Sequence, residues 1–315
     1  MKDIYIGIDL GGTFIKSGIA DADGKILSFY ETPTECGQGV EHVAENISAA
    51  ITRLFEDAKS NGFAVTGIGL SIPGFIDSAN GTVIASDNIR WYGVPIKKMI
   101  AERFGNIPVS IENDANCAAL GEALFGSGEK RKNCVLLTLG TGVGSGIIIN
   151  GKIYSGNRSA GAEVGHIIIH PRGKKCTCGG RGCLETYASA TALICETKKT
   201  VKKHPDSLMA EVGADKIDGK TAFDYREKDK YAAAIVKKYI DDLSIGLISI
   251  ANIFRPEAII LGGGVAKQGE SLTGPLNRKL KESIIYAHSG PEVPVICATV
   301  KEAGMLGAAA LNMQF

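Results

Sequence analysis

The chain lacks the features that mark several classes of protein. Polar residues interrupt every apolar stretch, so none reaches the ~20 residues that a membrane-spanning helix requires. A net charge of +1 gives no general electrostatic basis for binding nucleic acid or an anionic membrane. We expect no signal peptide, and the eight cysteines follow no regular spacing. We therefore expect reduced thiols and a cytoplasmic protein.

Two common nucleotide-binding patterns are also missing. The P-loop pattern, Gly followed after four residues by Gly-Lys-Ser/Thr, does not occur in the sequence. A dinucleotide-binding fingerprint requires a helix directly after its glycines, and the glycine-rich turns here have the pattern of turns between strands. At 315 residues, with 44% apolar residues, the chain is long enough for two domains of ordinary size.

Two glycine-rich turns are built alike. The first, Gly11-Gly12-Thr13, separates a predicted strand ending at Asp9 from one starting at Phe14. The second, Gly140-Thr141-Gly142, repeats this plan in residues 134–155. Backbone N–H groups in such turns bind anions, and glycine allows phosphate oxygens to approach closely. Asp9 could hold Mg²⁺ through water, while Thr13, Lys16 and Thr141 could add side-chain contacts to phosphate.

Metal-ligand residue types are concentrated in one segment. His166, Cys176, Cys178 and Cys183 fall within eighteen positions, between the carboxylates of Glu163 and Glu185. One imidazole and three thiolates complete a tetrahedral Zn²⁺ site, which leaves no position for a catalytic water, so such a zinc would be structural. The alternative is a flexible glycine-rich surface turn that binds no metal.

Three further places carry polar or glycine signals. Asn113 and Asp114 stand between a predicted strand and a helix that runs to about Phe125, where ordinary helix N-caps are the alternative interpretation. Gly74 lies in a Pro-Gly turn, and the run Gly262-Gly263-Gly264 follows a predicted strand at 258–261.

The motif joining Gly165-His166 to Cys176-X-Cys-Gly-X-X-Gly-Cys183-X-Glu185, together with Asn113-Asp114-Ala-Asn116, resembles the ROK family of sugar kinases and repressors. The resemblance covers essentially the whole chain. It implies that Asp114 is the catalytic base and that zinc is held by His166, Cys176, Cys178 and Cys183. It also implies a set of sugar contacts: Gly74, Asn113, Asp114, Glu163, His166 and Glu185. His166 could serve both sites, because imidazole has two nitrogens.

The resemblance also implies the architecture. We expect an α/β chain with the two-domain actin-like ATPase (ribonuclease H-like) fold and a cleft between the domains. The expected domains are residues 1–112 and 113–302, with the zinc segment at 166–183 in the second and a last helix at about 303–315 packing on the first. ATP would contact a set made up largely of glycines: Gly11, Gly12, Thr13, Lys16, Gly140, Thr141, Gly142, Gly262, Gly263 and Gly264.

The implied activity is ATP-dependent phosphorylation of a hexose, with glucose converted to glucose 6-phosphate. N-acetylmannosamine or N-acetylglucosamine kinase activity is the alternative, as is a non-catalytic sugar sensor of the repressor type. The first predicted strand begins at Asp3, and we expect no DNA-binding region before it. An actin-like ATPase that acts on proteins would leave the zinc segment without a role. From relatives we also expect a homo-oligomer, either a dimer or a tetramer.

Overall fold

The computed structural model describes residues 3–126 and 130–313. The chain divides into two compact units. The first consists of Met1–Asn133, Gly146–Ala162 and Thr299–Phe315, and the second of Cys134–Ser145 and Glu163–Ala298. The boundary at residue 112 stays a prediction, and residues 314 and 315 of the predicted last helix lie outside the described residues.

Regular structure in residues 3–126 follows the strand and turn pattern of the sequence. The elements there are β1 (Asp3–Leu10), β2 (Phe14–Asp21), β3 (Ile26–Pro33), α1 (Val40–Ser60), β4 (Ala64–Ile72), β5 (Phe75–Asp77), β6 (Thr82–Ser86), β7 (Trp91–Val94), α2 (Ile96–Phe104), β8 (Val109–Asn113) and α3 (Asp114–Phe125).

Residues 130–313 are richer in helix. Their elements are β9 (Cys134–Leu139), β10 (Val143–Ile149), β11 (Lys152–Ile153), α4 (Glu185–Ala188), α5 (Ala190–Lys203), α6 (Thr221–Tyr225), α7 (Lys230–Phe254), β12 (Ala258–Gly262), α8 (Gly263–Ala266), α9 (Glu270–Ser283), β13 (Val295–Cys297) and α10 (Ala303–Ala310). None of the helices described in either stretch combines the length and the apolar composition that crossing a membrane requires.

The first unit is organised around a sheet with the strand order β3-β2-β1-β4-β8. Alternate residues of β1 point to opposite faces. Ile4, Ile6 and Ile8 belong to the buried cluster that contains the apolar stripe of α1, whereas Tyr5 packs with Met305 and Leu306 of α10. Helices therefore cover both faces of this sheet. A smaller sheet has the order β5-β6-β7, and its Trp91 is buried in the core.

In the second unit, β12 runs parallel to both β9 and β13. The sheet containing them has the order β11-β10-β9-β12-β13, and the chain leaves the second unit within β10. The longest helix described, α7, begins after the N-cap Asp229 and ends at Phe254, with Arg255 as its C-cap just before Pro256. Its buried side includes Ile235, Tyr239 and Leu243, in agreement with the helical periodicity of the sequence.

Both predicted glycine turns connect strands. The first joins β1 to β2, and the second joins β9 to β10, with no helix directly after either turn. The third cluster differs, because Gly262 ends β12 and Gly263 begins α8.

Candidate active site

Asn113 and Asp114 have different roles at the start of α3. Asn113 is the N-cap, and its side-chain Oδ1 accepts hydrogen bonds from the backbone N–H groups of Ala115 at 2.9 Å and Asn116 at 3.2 Å. The N-cap interpretation therefore holds for Asn113. Asp114 is the first helical residue, and its Oδ1 accepts from Asn113 Nδ2 at 3.0 Å and from the Ala115 N–H at 2.9 Å. These donors fix the orientation of the carboxylate.

The pKa of Asp114 is raised to about 6. Burial is the largest cause, because it disfavours the charged form, and the negative charge of Asp9 adds to it. The hydrogen bonds described above act in the opposite direction. A carboxylate with a pKa near 6 is mainly ionised at neutral pH, yet it is a stronger base than an exposed aspartate.

A buried glutamate, Glu112, supports this segment from behind. Its Oε1 accepts from the Asn113 N–H at 2.8 Å and from Asn116 Nδ2 at 3.1 Å, and its Oε2 accepts from Ser78 Oγ at 2.9 Å. Sequence reasoning missed this residue, since a glutamate at the end of a strand carries no signal of its own. The hydrogen bonds show that it fixes the backbone from which Asn113 and Asp114 project.

Gly74 is brought to the same place. Its φ of +112° is in the region that favours glycine, and a Cβ there would collide with the backbone oxygen of Ala85. The Gly74 carbonyl oxygen accepts from Asn113 Nδ2 at 3.0 Å. Two predicted sugar contacts, Gly74 and Asn113, are therefore hydrogen-bonded to each other.

Strand register places Asp9 in line with this group. Asp9 of β1 pairs with Ser71 of β4, which in turn pairs with Glu112 of β8, near the carboxyl ends of three parallel strands. The fully buried Ser71 donates from Oγ to Asp9 Oδ1 at 2.7 Å. Burial also raises the pKa of Asp9. A carboxylate in this setting is a suitable ligand for a divalent cation.

Lys16 has a partner that the sequence did not indicate. Its Nζ donates to Glu302 Oε2 at 2.9 Å, immediately before α10. This hydrogen bond is the largest cause of the raised pKa of Lys16. The contact of Lys16 with phosphate stays a prediction. The turn before it is held by Thr34, whose N–H donates to the Thr13 carbonyl oxygen and whose Oγ1 donates to that of Gly11.

The second glycine turn is fixed by the residues around the start of α5. The Ala190 N–H donates to the Gly140 carbonyl oxygen at 2.8 Å, and Thr191 Oγ1 donates to that of Thr141 at 2.7 Å. Just after Gly142, the Val143 N–H donates to Glu185 Oε2 at 3.0 Å. This hydrogen bond therefore links Glu185, a predicted sugar contact, to the end of a predicted phosphate-binding turn.

The predicted zinc ligands lie together. Cys176 Sγ lies 3.6 Å from His166 Nδ1, and Cys178 Sγ lies 3.7 Å from Cys183 Sγ. All four donor atoms lie within 4.8 Å of one another. Tetrahedral zinc with bonds of ~2.3 Å to sulfur places its ligand atoms about 3.8 Å apart. The residues present therefore fit Zn²⁺.

The two carboxylates that flank this segment relate to it differently. Cys176 Sγ lies 3.8 Å from Glu185 Oε1, so Glu185 contacts the cysteine cluster directly. Glu163 is exposed, and its backbone oxygen accepts from the His166 N–H at 3.1 Å. Because Nδ1 of His166 faces the cysteines, Nε2 is the nitrogen left to face a second ligand.

A pocket of about 520 Å³ opens beside Glu185 within the second unit. Thr141 and Gly142 of the second glycine turn line it, together with Lys174, Lys175 and Lys199. The pocket therefore combines a turn with the anion-binding pattern, a carboxylate and three lysines.

Comparisons with known proteins identify the family of this chain. Residues 5–314 match the ROK family. The chain is 39% identical over 310 residues to a glucokinase of Thermotoga maritima, covering 97% of this chain and 96% of that protein. It is 36% identical over 326 residues to a glucokinase of Streptomyces coelicolor, covering 98% and 97%.

The solved structures include a ROK family glucokinase from Streptomyces griseus in complex with glucose and AMPPNP. It superposes with a TM-score of 0.77 at 35% sequence identity, covering 98% of each chain. This protein therefore belongs to the ROK family. Its fold is the two-domain actin-like ATPase fold, so the predicted family and fold class are confirmed.

Proposed function

We propose that this protein is an ATP-dependent glucokinase that transfers a phosphoryl group to glucose and yields glucose 6-phosphate, with Asp114 as the general base. The observation that carries the mechanism is the carboxylate of Asp114, held by Asn113 and the Ala115 N–H, with a pKa of about 6. The choice of glucose is supported by the glucokinases that match nearly the whole chain.

The chemistry follows from this geometry. A sugar hydroxyl is a weak nucleophile, and Asp114 accepts its proton as the bond from oxygen to phosphorus forms. General-base assistance of this kind contributes roughly 10²–10⁴ in rate. Asn113 and the Gly74 turn, which are hydrogen-bonded to each other, would orient the sugar. Orientation accounts for a further part of the rate enhancement, because it converts a bimolecular encounter of sugar and ATP into a step within one complex.

The phosphates of ATP would be bound by the two glycine turns, whose backbone N–H groups offer donors to anions. Asp9, oriented by Ser71, would hold Mg²⁺, which when bound neutralises charge on the transferred group. Gly262, Gly263 and Gly264, at the end of β12 and the start of α8, are proposed to contact the nucleoside.

Zinc has a structural part in this proposal. Bound by His166, Cys176, Cys178 and Cys183, it would cross-link the segment that carries Glu163 and Glu185. Glu185 is held by this segment through Cys176 and by the second glycine turn through the Val143 N–H. We propose Glu163, His166 and Glu185 as contacts to sugar hydroxyls.

The test is ATP-dependent ADP release with Mg²⁺ against glucose, N-acetylmannosamine, N-acetylglucosamine, allose and fructose. We expect the highest kcat/KM with glucose. A higher kcat/KM with an acetamido sugar would change the proposed substrate from glucose to that sugar and leave the proposed mechanism unchanged. Sugar binding without turnover would overturn the assignment as a kinase in favour of a sugar sensor.

A further inference from the structure

Asp9 and Lys16 stand side by side on one face of the first sheet. They are directly paired in the antiparallel register of β1 and β2. Side chains of directly paired residues point to the same face and lie within contact range. An ammonium group placed beside a buried carboxylate is attracted to it, and this attraction is stronger where water is excluded.

In the structure, however, the Lys16 ammonium group pairs with a different carboxylate. Lys16 Nζ donates to Glu302 Oε2 at 2.9 Å, while Asp9 Oδ1 accepts instead from the neutral Ser71 hydroxyl. The side chain of Glu302 is only 11% exposed, against 37% for Lys16. The lysine thus reaches from the surface to a carboxylate that is fixed in the protein.

Glu302 is fixed because it directly precedes α10. Met305 and Leu306 of that helix are buried against Tyr5 and Ala20 of the sheet. Two residues after Glu302, the helix contacts Asp9 itself, since a Cβ on Gly304 would lie 2.9 Å from the carboxylate carbon and both oxygens. The start of α10 therefore packs against Asp9 at Gly304 and binds its cationic neighbour, Lys16, through Glu302.

We propose that Glu302 is a positioning residue that holds the Lys16 ammonium away from Asp9, so that the Asp9 carboxylate remains available to a divalent cation. The proposal rests on the proposed function, in which Asp9 is a metal ligand.

The test compares Glu302→Gln with Glu31→Gln in the full-length protein. Glu31 is the matched control, because it is exposed and pairs with Lys16 from the neighbouring strand β3.

The readout is binding of Mn²⁺ in the presence of ADP, followed by electron paramagnetic resonance. We expect Glu302→Gln to weaken Mn²⁺ binding by about fivefold, the upper range for a partly exposed ion pair, and Glu31→Gln to leave it unchanged. Glucose affinity should stay within about twofold.

The double variant Glu302→Gln/Lys16→Met separates positioning from a structural role. If Glu302 acts by holding Lys16, the second substitution returns Mn²⁺ binding towards its wild-type strength. Mn²⁺ binding that stays weak in the double variant, or that never weakens in Glu302→Gln, would overturn the proposal. Unchanged Mn²⁺ binding in Asp9→Asn would instead refute one part of the proposed function, namely that Asp9 is a metal ligand.

Discussion

The residues proposed for the active site are held in two different ways. In the first unit, Asp9, Ser71 and Glu112 are aligned by the register of three parallel strands, and Asp114 begins a helix capped by Asn113. In the second unit, the segment from 163 to 183 forms turns, a short 3₁₀ helix and two isolated bridges, Ile168 with Cys183 and Lys175 with Arg181.

This difference shows how each half of the proposed active site, the half in the first unit and the half in the second, obtains its rigidity. A sheet and a helix satisfy their backbone hydrogen bonds internally, so the side chains at their ends are oriented before any ligand binds. An irregular segment pays more conformational entropy per hydrogen bond gained. A metal that cross-links four side chains can offset this cost, because ligands distant along the chain become one rigid group. We therefore expect metal loss to affect the second half and leave the first intact.

The largest effect should come from the first half. Asp114→Asn keeps the shape of the side chain but removes the base, so we expect kcat to fall by about 10²–10⁴. Glucose affinity, measured by calorimetry, should change little because the hydrogen-bonding framework of Asn113 and Glu112 remains. Asp23→Asn, in the exposed hairpin after β2, is the control. Retained turnover in Asp114→Asn would remove this residue from the mechanism.

The second half is tested through its metal. Cys178→Ala should lose zinc, measured by elemental analysis, and weaken glucose binding by about 10-fold to 100-fold, because Glu185 loses the support of Cys176. Fluorescence of Trp91, the single tryptophan, buried in the first unit, should stay unchanged. Cys195→Ala, an exposed cysteine on α5, is the matched control. Full glucose affinity in zinc-free protein would contradict the structural role of the metal.

The smallest effect is a pH dependence located in the first half. The pKa of Asp114 is about 6, and the carboxylate form is the active one in the proposed mechanism. Below this pH, kcat/KM should fall by about tenfold per pH unit. The pH dependence of kcat/KM reports the pKa values of the enzyme without bound substrate. Protonation of a group whose folded pKa is raised favours the folded state, so unfolding through Asp114 does not explain the loss. Constant kcat/KM down to pH 5 would show that Asp114 is not the base.

Much of this molecule was predictable from local patterns. The strands on both sides of each glycine turn, the helix from Asp114 to Phe125 and the helix from Lys230 to Phe254 all appear where periodicity and breakers indicate them. The His and Cys spacing predicted a cluster that the structure brings together. These features depend on residues close to one another along the chain, and such patterns carry most of the information in a single sequence.

The residues missed by sequence reasoning act over long separations. Ser71 meets Asp9 across 62 positions, and Glu302 meets Lys16 across 286. Neither serine in a strand nor glutamate before a helix predicts such a contact. Glu112 differs, because the donors Asn113 and Asn116 lie within four positions of it and only Ser78, 34 positions away, is distant. It was missed because a glutamate at the end of a strand has no pattern of its own.

The sequence by itself determined the family, the strand and turn order, and the residue types able to bind zinc, phosphate and sugar, because each depends on local spacing. Only the tertiary structure decided that Asn113 caps α3 and that Asp114 has a pKa of about 6. It also decided that Lys16 is bound by Glu302 rather than free. Burial and charge proximity set these properties, and both depend on which distant strands and helices meet.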